Sequence, residues 1–174
     1  MVQTSTLGHT VQNSPTSHFV YNNNAIGHEY TGLGRESAHV FMEQLKTYIV
    51  EDSPVIRESL IATLEELVPL QVVGTAEDEA TAVRWLSEPG NHADLVIVDI
   101  FLKGGSGLGV IKSANNLPQR RTLVVLSNYA TQDIRRKCME LGADRVFDKS
   151  NEIDALIQYC GDVAAGTTGR GVLN

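Results

Sequence analysis

The chain has 174 residues, 42% of them apolar, and a formal net charge of -7. That length suits one ordinary domain and is short for two, and the negative balance argues against nucleic acid as the main partner. Two cysteines without CxxC spacing argue against a disulfide scaffold or a thiolate metal site, and no apolar run approaches the roughly 20 residues needed to span a bilayer.

The first 41 residues differ from everything after them. Twenty-three of them are Gly, His, Asn, Gln, Ser or Thr, with no Lys, and their few apolar residues show no helical or strand period. Such a segment buries too little to offset its ordering entropy, so residues 1–43 are predicted to be a disordered extension. Its histidines, His9, His18, His28 and His39, are too widely spaced to be read as a metal site. No basic residue lies near Met1 and no continuous apolar segment follows, so a signal peptide is not indicated and a cytoplasmic location without membrane insertion is expected.

From residue 44 the pattern becomes regular. Leu45 to Val50 predicts a first strand, ending in Glu51-Asp52. Ser53-Pro54 is a helix start, with Ser as N-cap and Pro at the first helical position. Ile56, Leu60, Leu64 and Leu67 then mark an apolar face, and Pro69 closes the helix. Leu70 to Gly74 predicts a second strand. Glu77, Asp78 and Glu79 suit the first turn of a second helix, which ends at Pro89-Gly90.

Leu95-Val96-Ile97-Val98 is a run of four apolar residues, three of them β-branched, as expected of a strand buried on both faces. It delivers Asp99 to the carboxyl edge of its sheet, where open α/β sheets bind ligands, and a glycine-rich run, Gly104-Gly105-Ser106-Gly107-Leu108-Gly109, follows. A third helix begins near Leu108 and ends by Pro118. Thr122 to Leu126 predicts a fourth strand, ending in Ser127. Thr131 starts a fourth helix that stops at Gly142. Asp144 to Phe147 predicts a fifth strand, ending near Lys149, and Ser150 or Asn151 is expected to cap a fifth helix through Cys160. Cys138 and Cys160 fall on core-facing helical positions and read as buried thiols. Residues 166–174 read as a flexible tail.

Five βα repeats predict an α/β fold: a doubly wound parallel sheet over residues 44–165, flavodoxin-like, with strand order 2-1-3-4-5. A parallel sheet brings all its strand ends to one edge. Glu51, Asp52, Asp99, Ser127 and Lys149 therefore converge. Two carboxylates about 4 Å apart repel by roughly 4 kcal/mol at an effective dielectric near 20. Three of them call for cations: Lys149 supplies one charge, and a hard divalent ion such as Mg²⁺ supplies two more. Asp99, on the central strand, is best placed to accept a phosphoryl group, with Lys149 and the Ser127 hydroxyl to stabilise its oxygens.

On these residues the chain resembles the receiver domains of bacterial two-component response regulators. The resemblance covers about Lys46 to Val163 and rests on Glu51-Asp52, Asp99 with Leu102 and Ser106-Gly107, Ser127, and Lys149. It implies that Asp99 is the phosphoacceptor and that Asp52 binds Mg²⁺ directly, with Glu51 supporting the ion through water. It implies that Phe101 lends its backbone carbonyl, Ser127 is the switch hydroxyl and Lys149 binds phosphate. The implied donor is a phosphohistidine on a sensor histidine kinase or a phosphotransfer protein. The chain departs from the family at Lys103 and Ser150, where proline is usual, and at Val146, where the family carries an aromatic switch residue. Phe147 points to the opposite face and does not substitute. Phe101 and Tyr129 occupy positions that tune hydrolysis of the acyl phosphate, and two rings there predict slow self-dephosphorylation.

The reading is of a stand-alone, single-domain regulator, not an enzyme in its own right. Its output is a downstream protein target through the fourth helix, fifth strand and fifth helix, without DNA, and dimerisation on phosphorylation is left open. A phosphorelay intermediate or phosphate sink is the alternative. A metal-dependent aspartyl phosphatase needs a second Asp two residues after the nucleophile, where Phe101 stands. The glycine-rich run lacks GxGxxG spacing and has Val110 where a P-loop needs Lys. Arg135-Arg136-Lys137 reads as a solvated face.

Overall fold

The computed structural model describes residues 43–168. The expectations for residues 1–42, including the four histidines, and for 169–174 lie outside the described residues. Ten elements alternate: β1 (Leu45–Val50), α1 (Pro54–Leu67), β2 (Leu70–Ala76), α2 (Glu79–Ser87), β3 (Leu95–Val98), α3 (Gly107–Asn115), β4 (Thr122–Ser127), α4 (Gln132–Leu141), β5 (Arg145–Asp148) and α5 (Ile153–Ala164). The five strands form one parallel sheet in the order β2-β1-β3-β4-β5, the flavodoxin-like arrangement.

Central β3 is buried along its whole length, and its residues alternate between two cores, as strand geometry requires. Val96 and Val98 join Ala82, Leu86, Val110, Ile111 and Cys138 beneath α2, α3 and α4. Leu95 and Ile97 join Leu60, Leu64, Leu156 and Cys160 beneath α1 and α5. The same alternation sends Val146 into the first core and Phe147 into the second, where Phe147 packs on Tyr159 with ring centroids 5.8 Å apart. Burial raises both cysteine thiols, that of Cys160 to about 12, so both remain protonated packing groups.

Local signals explain most boundaries. Ser53 and Thr131 cap α1 and α4, each accepting the backbone N–H three residues on, and Gly142 ends α4 with φ +108°. Four expectations need correction. β2 continues two residues past Gly74, which is a space-maker rather than a stop: a Cβ there would lie 3.0 Å from the Tyr48 ring. Tyr48 is in turn stacked on Trp85 at 4.0 Å. The α2 helix starts only at Glu79, because Asp78 spends its carboxylate as the N-cap, accepting from Thr81 N and Oγ1 at 2.8 and 2.9 Å.

On α1 only Leu60 and Leu64 are buried; Ile56 and Leu67 stay exposed. Finally, α5 is not capped by Ser150 or Asn151. Asp148 organises that turn, accepting Ser150 N–H at 2.7 Å, and Glu152 occupies the cap position without a side-chain cap bond.

Candidate functional site

Two of the acidic residues at the carboxyl edge, Asp99 and Glu51, are fixed by the strand beside them. Asp99 N–H donates to Val50 O at 2.9 Å and Glu51 N–H to Ala76 O at 3.0 Å, so the sheet ladder extends one residue beyond the strands. On the other flank, Lys149 N–H donates to Ser127 O at 3.0 Å. The sequence-predicted Glu51, Asp52, Asp99, Ser127 and Lys149 all lie at this edge, and Phe101 follows two residues after Asp99.

The Lys149 ammonium lies between two carboxylates, 2.6 Å from Glu51 Oε2 and 2.7 Å from Asp99 Oδ2. None of these three side chains is more than 9% exposed. Burial alone would lower the Lys149 pKa, but its hydrogen bonds to Asp99 and Glu51 outweigh that and raise it. The group therefore remains a cation throughout the neutral range.

Asp52 is half-buried and accepts Lys103 N–H at 3.1 Å. Glu51, Asp52 and Asp99 each offer an oxygen within 4.8 Å of the others. The nearby Arg57 guanidinium goes to the Glu51 carbonyl and to Glu77 rather than to the cluster carboxylates. Three carboxylates against one ammonium leave two negative charges uncompensated. A set of hard oxygen donors with that surplus fits Mg²⁺.

The surroundings of the cluster are asymmetric. Ser127 is fully buried, and its hydroxyl accepts Tyr129 N–H at 3.5 Å. Phe101 N–H donates to Asp99 Oδ1 at 3.3 Å. The Phe101 and Tyr129 rings meet edge to face, centroids 5.3 Å apart, and both remain more than half exposed. On the other side, an apolar groove of about 410 Å³ runs between α1 and α5. Val55, Ile56, Leu126, Ile153 and Ile157 line it, together with Lys149.

Two participants escaped sequence reading. Arg135 is not part of a solvated face. Its guanidinium donates to Ala130 O at 2.9 Å, Val146 O at 2.5 Å and Glu152 Oε2 at 2.7 Å. It thus ties the loop after Ser127 to β5 and to the turn after Lys149. The bond from Arg135 holds the Glu152 carboxyl below its ordinary value. The only sequence signal was its place beside the face formed by partly buried Ile134 and buried Cys138. Arg136, by contrast, is the surface residue expected, pairing with Asp133. Glu79 is the second, and its carboxylate accepts Ser106 N–H at 2.7 Å from within the loop that follows Asp99.

Comparison with known proteins adds the family. A family model described as the response regulator receiver domain matches residues 47–160. The transcriptional regulatory protein MalR of Bacillus subtilis is 27% identical over 57% of the chain. The phosphate regulon transcriptional regulatory protein PhoB of Klebsiella pneumoniae is 35% identical over 58% of it. These matches cover 41% and 43% of the two relatives, so the chain spans less than half of each. Among solved structures, a LuxR-family two-component response regulator from Aurantimonas superposes with a TM-score of 0.64 at 24% identity, covering 71% of this chain and 86% of that one. The receiver domain of NarL from Mycobacterium tuberculosis gives 0.62 at 21% identity, covering 71% and 98%. Both show the same fold.

Proposed function

The chain belongs to the response regulator receiver domain family, and from that membership we propose that Asp99 accepts a phosphoryl group from a phosphohistidine donor and so switches a protein contact. The observation that carries this reading is the Lys149 ammonium held between Asp99 and Glu51 beside a third carboxylate, Asp52. Asp99 attacks phosphorus through a carboxylate oxygen. The new O–P bond forms as the P–N bond to imidazole breaks, and the released electron pair stays on the imidazole, which water reprotonates.

Lys149 positions Asp99 and neutralises the incoming oxygens. The Ser127 hydroxyl, whose oxygen accepts from Tyr129 N–H and whose own hydrogen is not used in that bond, donates to one of them. Glu51, Asp52, Asp99 and the Phe101 carbonyl would hold Mg²⁺, which when bound offsets phosphoryl charge. The donor is a sensor histidine kinase or a phosphotransfer protein. The apolar α1–α5 groove, which Lys149 helps to line, suits a helix that presents the phosphohistidine.

Output through protein contact is supported by Arg135, which links the Ser127 and Lys149 loops to α4 and β5. MalR and PhoB are named as transcriptional regulators; the described residues here make up the receiver unit alone. The Phe101–Tyr129 pair favours a switch over a phosphate sink, because rings at the mouth keep attacking water from the acyl phosphate. Phe101→Asn is expected to raise the self-dephosphorylation rate about tenfold, the effect of lowering a barrier by roughly 1.4 kcal/mol. A wild-type phosphoryl lifetime of seconds that the substitution leaves unchanged contradicts this.

Phosphate release with Mg²⁺ and p-nitrophenyl phosphate distinguishes the reading from hydrolysis. No sustained turnover is expected, since no second carboxylate follows at Phe101. Continuous release favours the phosphatase.

A further inference from the structure

The glycine-rich run after Asp99 lacks the spacing of a phosphate-binding loop, yet in the structure it holds an anion from within the chain. That anion is the Glu79 carboxylate. Oε2 accepts Ser106 N–H at 2.7 Å. The Glu79 backbone N–H donates to Gly104 O at 2.9 Å, and Asp78 pairs with Gly104 in an isolated parallel bridge.

Glycine makes the space for the carboxylate. A Cβ on Gly109 would overlap Oε1, and one on Gly105 would lie 2.5 Å from both Cβ and Oε2 of Glu79. Gly105 also has φ +87°, a conformation natural to glycine. Sequence alone gives Glu79 only a place in the first turn of α2. The fold turns it into the filling of a recess on a neighbouring loop.

That loop is the one that touches the acidic cluster. Phe101 N–H meets Asp99 Oδ1 at 3.3 Å, and Lys103 N–H meets Asp52 Oδ2 at 3.1 Å. Two consecutive glycines and no proline give residues 103–106 a large conformational entropy in isolation. The α2 contacts at Gly104 and Ser106 restrict it just beyond the residues that meet Asp52 and Asp99.

We propose that Glu79 is a positioning residue: seated in the recess formed by Gly105, Ser106 and Gly109, it fixes the 101–106 loop against Asp52 and Asp99 and thereby raises the affinity of the acidic cluster for Mg²⁺. The proposal rests on reading that cluster as a divalent-cation site. Glu79 touches none of the three carboxylates and acts through the backbone they accept from. Removing a partner that orients metal ligands lowers metal affinity by about tenfold or more.

The test is calorimetric titration of the full chain with Mg²⁺, alongside thermal unfolding and amide hydrogen exchange. Glu79→Ala is expected to weaken Mg²⁺ binding about tenfold and to speed exchange at Lys103 to Ser106. Glu79→Gln keeps an acceptor for Ser106 N–H and is expected to bind within about twofold of wild type.

Gly109→Ala keeps the carboxylate but fills its seat. The clash falls on the end of a flexible side chain, and alanine favours the helix, so thermal stability holds or rises while Mg²⁺ affinity falls. Stability and affinity then move in opposite directions, which a merely structural role for Glu79 does not produce. Wild-type affinity in both Glu79→Ala and Gly109→Ala overturns the proposal. Absence of Mg²⁺ binding in the wild-type chain overturns the cation-site reading itself.

Discussion

Replacing Lys149 with methionine is expected to destabilise the domain by about 3–5 kcal/mol at neutral pH, the usual result of removing one partner from a buried ion pair. The loss stems from what remains. Glu51 and Asp99, each with a side chain no more than 9% exposed, would be left facing each other without the ammonium that now lies 2.6 and 2.7 Å from them. Mg²⁺ supplies the missing positive charge, so it should shrink the deficit by stabilising the variant more than the wild type. Denaturant unfolding with and without Mg²⁺ checks this. Equal stability of the two proteins under both conditions contradicts the electrostatic account. Phosphoryl uptake should fall even where Mg²⁺ restores the fold, because methionine offers no charge to the incoming oxygens.

The second large effect is steric. Gly107 opens α3 with an ordinary negative φ, so its need for glycine does not come from the backbone angle. A Cβ there would overlap the Asp99 carbonyl oxygen and lie 2.8 Å from both the Asp99 carbonyl carbon and the Ile100 Cα. These are backbone atoms of the phosphoacceptor segment and cannot swing aside. Gly107 N–H is also bonded to Ile100 O at 2.9 Å, which pins the approach from the other side. Gly107→Ala is therefore expected to cost about 3 kcal/mol, at the upper end of ordinary overpacking, and to displace Asp99 enough to suppress phosphoryl uptake.

Gly161→Ala is the control. It lies inside α5 with nothing within 4 Å of a new Cβ, so it should stabilise by roughly 0.5–1 kcal/mol. Thermal unfolding of the pair reads both signs. Gly107→Ala with wild-type stability contradicts the geometry.

How far such features can be read from sequence depends on how local their cause is. The β3 run announces itself because a strand covered on both faces needs apolar residues at every position. Ser53-Pro54 and Thr131 announce helix starts because a cap bond spans only three residues. The convergence of Glu51, Asp52, Asp99, Ser127 and Lys149 follows from parallel topology alone, so the site was legible once the βα register was known.

What escaped was set by distant partners. Gly74 looks like a strand end, yet it is a strand residue emptied for the Tyr48 ring. The α5 cap was misplaced because Asp148 organises the preceding turn and Arg135, from α4, engages Glu152. Arg135 itself read as one of three surface cations, since nothing local distinguishes a guanidinium that folds inward. Glu79 and the recess around Gly105 and Gly109 lie about 30 positions apart in the chain, and only the packing of α2 against α3 brings them together.

The central claim is best tested by intact mass spectrometry after incubation with Mg²⁺ and acetyl phosphate. The account predicts that the wild-type chain gains one phosphoryl group, lost on treatment with hydroxylamine as an acyl phosphate should be, and that Asp99→Ala gains none. A phosphoryl gain that persists in Asp99→Ala, or a folded, Mg²⁺-bound wild-type chain that gains nothing, contradicts it.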